Sequence, residues 1–162
     1  MYRLLPQSFF EWCAATALGR FIAASVWTMP ILETFHIMGL VLLLGAAFTL
    51  NVTVLGVGLR MPGERLARQL FPWALAGLLM AIVTGIPMFM SAAPLYGHSG
   101  PFAVKMSLLL SAIVLQTVNY KLRMYGSTAG RVIACVTLVC WFGIAYAGRA
   151  IAFSNLLGMQ PY

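Results

Sequence analysis

Four ionisable side chains stand inside or at the edge of long apolar runs of this sequence: Glu33, His36, Lys105 and Arg149. A charge at the centre of a bilayer costs at least about 2.5–3.5 kcal/mol on insertion scales, so such residues usually have a partner and a function. Glu33 and His36 are spaced i, i+3 and share one helix face, and Tyr146 and Arg149 repeat the spacing. At a rise of about 1.5 Å per residue, Glu33 lies about 4–5 Å inside its run, His36 and Arg149 about 9 Å, and Lys105 about 6 Å. Alternating helix direction puts all four near one face of the membrane, which predicts a shared polar pocket in a single leaflet. A neutral imidazole inside a helix bundle can ligate haem iron. The two propionates of a haem call for cations, and Lys105 and Arg149 are the candidates. The expectation is a haem b with His36 on the iron, Lys105 and Arg149 on the propionates, and Glu33 fixing the imidazole or relaying protons. The second axial position has three readings: His98 folded over the pocket, a methionine, or five-coordinate iron.

Each residue has a plainer alternative. His36 can be a hydrogen-bonding residue paired with Glu33 or a neighbouring helix. Glu33 can be hydrated at the start of its run. Lys105 and Arg149 can snorkel to the headgroups. His98, in a Tyr-Gly-His-Ser-Gly-Pro stretch, reads as an exposed turn residue. Met88 and Met90 admit a copper-handling face. Asn51, Gln116 and Asn119 are explained by hydrogen bonds between helices.

The elements that must position these groups follow from apolar run length. Four runs, 31–59, 69–93, 102–120 and 132–154, each exceed or approach the roughly 20 apolar residues that cross a bilayer core of about 30 Å. Ile37 to Leu59 has 23 residues without a charge. Helices rather than strands are required, because lipid offers no hydrogen bonds to an open backbone. Short links, Arg60–Arg68, Ala93–Pro101 and Lys121–Arg131, make sequential helices antiparallel neighbours. Residues 1–29 mix Phe9, Phe10, Trp12, Phe21 and Trp27 with Gln7, Glu11 and Arg20. They read as an amphipathic helix lying at the interface, and as a retained N-terminus rather than a signal peptide. Small residues at Gly39, Gly45, Gly77, Gly85, Gly143 and Gly148 permit close helix contact, and a homodimer is among the arrangements they allow. Pro87 predicts a kink in the second span.

The totals agree. The chain of 162 residues is 62% hydrophobic and 8% charged. Soluble domains carry about 25% charged residues, and a chain this short cannot hide so much apolar surface in water. Asp is absent and the only acids are Glu11, Glu33 and Glu64. Carboxylate metal clusters and two-carboxylate hydrolysis are thereby excluded. The three cysteines, Cys13, Cys135 and Cys140, form no CxxC and lie in apolar runs, which reads as packing. The net charge of +7 comes from bases scattered at segment ends. That pattern indicates membrane topology rather than nucleic acid. Arg60, Arg65, Arg68, Lys121, Arg123 and Arg131 share one side, against Arg3, Arg20, Lys105 and Arg149 on the other. The bias puts both termini in the periplasm of a bacterial inner membrane.

One run of residues is familiar in its order. Trp27-Thr-Met-Pro-Ile-Leu-Glu33-Thr-Phe-His36-Ile-Met-Gly39 opens it, then Phe71-Pro72-Trp73, Thr84-Gly85, Tyr96, Phe102, Lys105-Met106 and Gly148-Arg149-Ala-Ile-Ala-Phe153. Together these resemble a family of small bacterial four-helix membrane proteins known as a domain of unknown function. More distantly, a His on the first span, Pro and Gly on the second and Lys on the third are similar to HemJ-type protoporphyrinogen oxidases and to CopD-type copper-resistance membrane proteins. The HemJ resemblance implies a four-helix haem b protein that depends on His36 and Lys105, across roughly residues 30–125. The N-terminal segment and Arg149 depart from that pattern.

The reading is a single membrane domain over 1–162, an all-α, antiparallel four-helix bundle preceded by an interfacial helix. Its expected function is that of a b-type haem protein in electron transfer or a redox enzyme subunit, with a quinone or a redox protein as partner. The alternatives are a HemJ-like porphyrinogen or quinone oxidoreductase, and a cofactor-free transporter, metal-handling protein or membrane anchor.

Overall fold

The computed structural model describes residues 6–97 and 99–156, with side-chain surroundings as far as residue 151. Seven α-helices follow in order: α1 (Gln7–Ala15), α2 (Ala17–Ala24), α3 (Thr28–Val54), α4 (Gly63–Ser91), α5 (Ala93–Gly97), α6 (Gly100–Lys121) and α7 (Thr128–Leu156). One 3-10 turn, Met124–Gly126, lies between the last two. No strand occurs among the described residues. The protein is all-α, and α3, α4, α6 and α7 are long and apolar enough to cross a membrane. It is a multi-pass membrane protein. Its outward residues are those of a lipid-facing surface: Val41, Val83, Leu110, Val139 and Phe142 are each more than 60% exposed.

The helix ends follow local chemistry. α3 begins at Thr28, two residues before Pro30, because proline is tolerated in a first helical turn. α4 takes in most of the expected link after Pro62, with Glu64 in its first turn where the helix dipole favours an acid. Pro72 and Pro87 both stand inside α4. α6 is capped by Ser99, whose hydroxyl accepts from the Phe102 amide at 3.4 Å, and Pro101 occupies its first turn. Residues 93–101, expected as a link, hold the short α5.

The N-terminal segment is two short helices rather than one. Thr16 breaks it, because its hydroxyl accepts from the Gly19 amide at 3.1 Å and so caps α2. The segment does not lie free. Cys13 and Ile22 are buried, α1 packs on α5, and α2 packs on α4. Trp12, Phe21, Val26 and Trp27 remain exposed.

The long helices form two hairpins. α3 pairs closely with α4, α6 pairs with α7, and the seam α3–α7 joins the hairpins. α4 and α6 barely approach each other at the backbone. Across α3–α4 the glycines expected to allow close contact meet: a Cβ on Gly77 would lie 2.6 Å from both the Gly39 carbonyl oxygen and the Leu43 nitrogen. Both are main-chain atoms, so no side chain can yield. Gly143 meets Leu108 across α6–α7, whereas Gly45 and Gly148 face open space. One core cluster gathers Leu43, Ala47, Ala112, Cys140, Trp141 and Ile144, and a second gathers Leu50, Val54, Leu66, Ala67, Tyr125 and Ala134. Both sit in the middle and at the hairpin-turn end of the bundle. The layer of His36 and Lys105, nearer the other end, belongs to neither.

Candidate functional site

His36 lies on the early part of α3, half-buried, and faces α4. Its Nδ1 is 3.0 Å from Oγ1 of Thr84. The direction of that hydrogen bond follows from the threonine. The single hydroxyl proton of Thr84 goes to the Met80 carbonyl, 2.7 Å away, in the back-bond usual for threonine in a helix. Thr84 therefore accepts, and the imidazole Nδ1–H donates. Neutral histidine has one N–H, so Nε2 carries the lone pair. The Ala81 carbonyl also acts on the ring as an acceptor. Gly85 makes the contact possible: a Cβ there would meet His36 Cε1 at 3.0 Å. Thr84 is itself buried.

Charges of both signs reach this ring. Lys105 on α6 and Glu33 on α3 both act electrostatically on His36. Lys105 is partly buried and Glu33 is exposed. Glu33 also acts on Tyr96 of α5, whose phenol is pushed up from its ordinary value, first by burial and then by that carboxylate. Tyr96 joins Phe89 and Phe102 in an aromatic group with ring centroids 5.4–6.2 Å apart. This group spans α4, α5 and α6 where the two hairpins diverge, and Phe10 of α1 joins it at 6.2 Å from Phe89.

Of the groups singled out from the sequence, Glu33 and Lys105 thus act on His36 through their charge. Arg149 is exposed on α7 and is not among the charges acting on His36. His98 lies outside the described residues. No cluster of three or more His, Cys, Asp or Glu that could hold a bare metal ion occurs among the described residues. A single imidazole would suit a haem iron, for which the porphyrin supplies four further nitrogens. From the sequence Thr84 had no assigned role, and Gly85 was read only as a small residue permitting close helix contact. Their signal was adjacency: a hydroxyl and a missing side chain, side by side, within two turns of the end of α4.

The polar residues of the other half behave as expected from the sequence. Asn51 Nδ2 donates to Gln116 Oε1 at 3.1 Å between α3 and α6, and to the Ala47 carbonyl at 2.8 Å. Asn119 Nδ2 donates to the Gly130 carbonyl at 3.2 Å between α6 and α7.

Comparison of the chain with protein families, with curated proteins and with solved structures finds no match.

Proposed function

We propose that the protein is a haem b-binding protein of a bacterial inner membrane, with both termini in the periplasm, working in electron transfer or as the membrane subunit of a redox enzyme. One observation carries the reading: His36 Nδ1 lies 3.0 Å from the Thr84 hydroxyl, whose own proton has the Met80 carbonyl as acceptor at 2.7 Å, an arrangement that suits Nε2 to a ligand. Imidazoles that hold a metal usually donate their other N–H to a fixed acceptor, which sets the ring and raises its basicity. The resemblance of the sequence to HemJ-type proteins points the same way.

The residues divide the task. His36 supplies the axial nitrogen, Thr84 holds its ring, and Gly85 leaves the ring its place beside α4. Lys105 supplies a cation for the carboxylates of the cofactor, where a charge-assisted hydrogen bond is worth roughly twice a neutral one. Arg149 would be a second cation for them. Glu33 and Tyr96 would stand at the outer edge of the site, where Glu33 would fix the imidazole or relay protons. The haem, when bound, supplies a one-electron couple whose potential answers to ligand, hydrogen bonding and burial. A quinone or a redox protein is the partner such a couple needs.

The decisive experiment is an optical spectrum. Protein purified from cells well supplied with haem should show a Soret band that His36→Ala abolishes. Colourless wild-type protein would refute the proposal and favour a cofactor-free transporter, metal-handling protein or anchor. An imidazole under the influence of Lys105 also suits a base that takes protons from a porphyrinogen. Turnover of that substrate would assign the oxidoreductase reading instead.

A further inference from the structure

A second site stands at the opposite end of the bundle. A cavity of about 250 Å³ opens there, lined by Glu64, Arg68, Tyr120, Lys121 and Arg123. Glu64 and Arg68 are one turn apart near the start of α4, and Tyr120 and Lys121 close α6. Tyr120 is stacked on Phe71 with centroids 6.4 Å apart, which fixes one wall. Arg123 follows in the turn, in the left-handed region at φ 51°, the only described non-glycine residue with positive φ. A bulky residue held there is uncommon, and such outliers concentrate at ligand and switch sites. Arg123 Nε lies 3.6 Å from Glu64 Oε1. The one carboxylate in the cavity is thus matched by one guanidinium, which leaves Arg68 and Lys121 as uncompensated positive charge.

Lys121 is shared with a groove of about 380 Å³ on the outer face of α6, whose other lining residues are Ile113, Val114, Thr117, Val118 and Leu122. The Thr117 hydroxyl is spent on the Ile113 carbonyl at 2.7 Å, so even this residue offers the groove no free donor. α6 has 22 residues, about 33 Å at its usual rise, close to the thickness of a hydrocarbon core of about 30 Å. Lys121 therefore stands at headgroup level while the groove below it runs into the acyl region.

We propose that this end of the bundle holds an anionic phospholipid, its phosphate between Arg68 and Lys121 and one acyl chain along the groove of α6. Charge and shape select the occupant together. A soluble anion would use the cations but not the groove. A zwitterionic lipid would fill the groove, but its ammonium group would find no unpaired acid, since Glu64 is held by Arg123.

The full chain in detergent tests this, with dioleoylphosphatidylglycerol, dioleoylphosphatidylcholine and inorganic phosphate as separate probes read by native mass spectrometry and thermal shift. A basic residue near a membrane surface is worth about fivefold in affinity for anionic lipid, so two predict a preference for phosphatidylglycerol of about thirtyfold. Arg68→Gln and Lys121→Gln should each cut it about fivefold. Glu64→Gln, which frees Arg123, should strengthen it, a gain that misfolding cannot mimic. Val118→Trp should fill the groove and weaken lipid binding. Arg20→Gln should leave the preference intact. Equal binding of the two lipids, inorganic phosphate binding as tightly as phosphatidylglycerol, or an Arg20→Gln effect equal to that of Lys121→Gln would each overturn the assignment.

Discussion

Two polar layers cross this bundle, and they are built differently. The layer of Asn51, Gln116 and Asn119 is neutral, and both asparagines are almost fully buried, at 1% and 0% exposure. Its hydrogen bonds tie α3 to α6 and α6 to α7. The layer of Glu33, His36 and Lys105 is ionisable and only partly covered. Its one fixed bond, His36 to Thr84, leaves a ring nitrogen with a lone pair. Neutral amides can be sealed into a membrane protein at the cost of their own hydrogen bonds, and they then hold helices in register. An imidazole kept at a half-open position with one nitrogen engaged is suited to binding something else. One layer thus holds buried amides bonded between helices, with Asn51 Oδ1, Gln116 Nε2 and Asn119 Oδ1 left without partners among the described residues, and the other holds ionisable groups only partly covered.

The largest test of that contrast strikes the frame both layers share. Gly77→Ala drives a Cβ into the main chain of α3, and overpacking of this kind costs about 1–3 kcal/mol. Thermal unfolding in detergent should fall by that amount, and the bound-haem spectrum should weaken with it. A neutral result would mean that the Gly39–Gly77 crossing does not set the position of His36.

Thr84→Val should separate the layers. It keeps the shape of the side chain but removes the acceptor for Nδ1–H. Loss of an outer-shell partner lowers metal affinity about 10–100-fold. The measured haem affinity should drop by at least about tenfold. An unchanged affinity would show that the histidine tautomer is not set by this threonine.

A double-mutant cycle on Asn51 and Gln116 probes the neutral layer. Hydrogen bonds between membrane helices average about 0.6 kcal/mol in such cycles, and a coupling near that value is expected with the optical spectrum unaltered. A shifted Soret band in Asn51→Ala would join the two layers into one functional unit.

The smallest effect belongs to Tyr125. Its hydroxyl is buried and has no hydrogen-bond partner among the described residues. Burial, with help from Tyr120 and Glu64, pushes its phenol up to about 12. Tyr125→Phe removes an unsatisfied polar atom and should be neutral or slightly stabilising by melting temperature. A clear loss of stability would reveal an unseen partner for the hydroxyl.

The spans were legible because length and hydropathy act locally, and no partner is needed to read them. The depth arithmetic for His36 and Lys105 rests on the same kind of local property, since rise per residue is nearly constant. The rotation of a helix about its axis is not local. Arg149 shares the depth of His36 yet lies exposed, because the packing of α7 on α3 and α6 decides which face turns inward. Thr84 reads as an ordinary helix residue until α3 is laid beside it. The break at Thr16 was legible in principle, since a threonine before Ala-Leu-Gly is a capping residue, but the aromatic pattern on either side suggested one continuous helix.

The sparse meeting of α4 and α6 bears on how such a chain is made. Each hairpin is a self-contained antiparallel pair, so the ribosome can deliver the first pair to the bilayer before the second exists. Assembly then reduces to sliding two prefabricated halves together along α3 and α7. Fragments severed between Gly97 and Gly100 and expressed side by side should find each other and restore the whole.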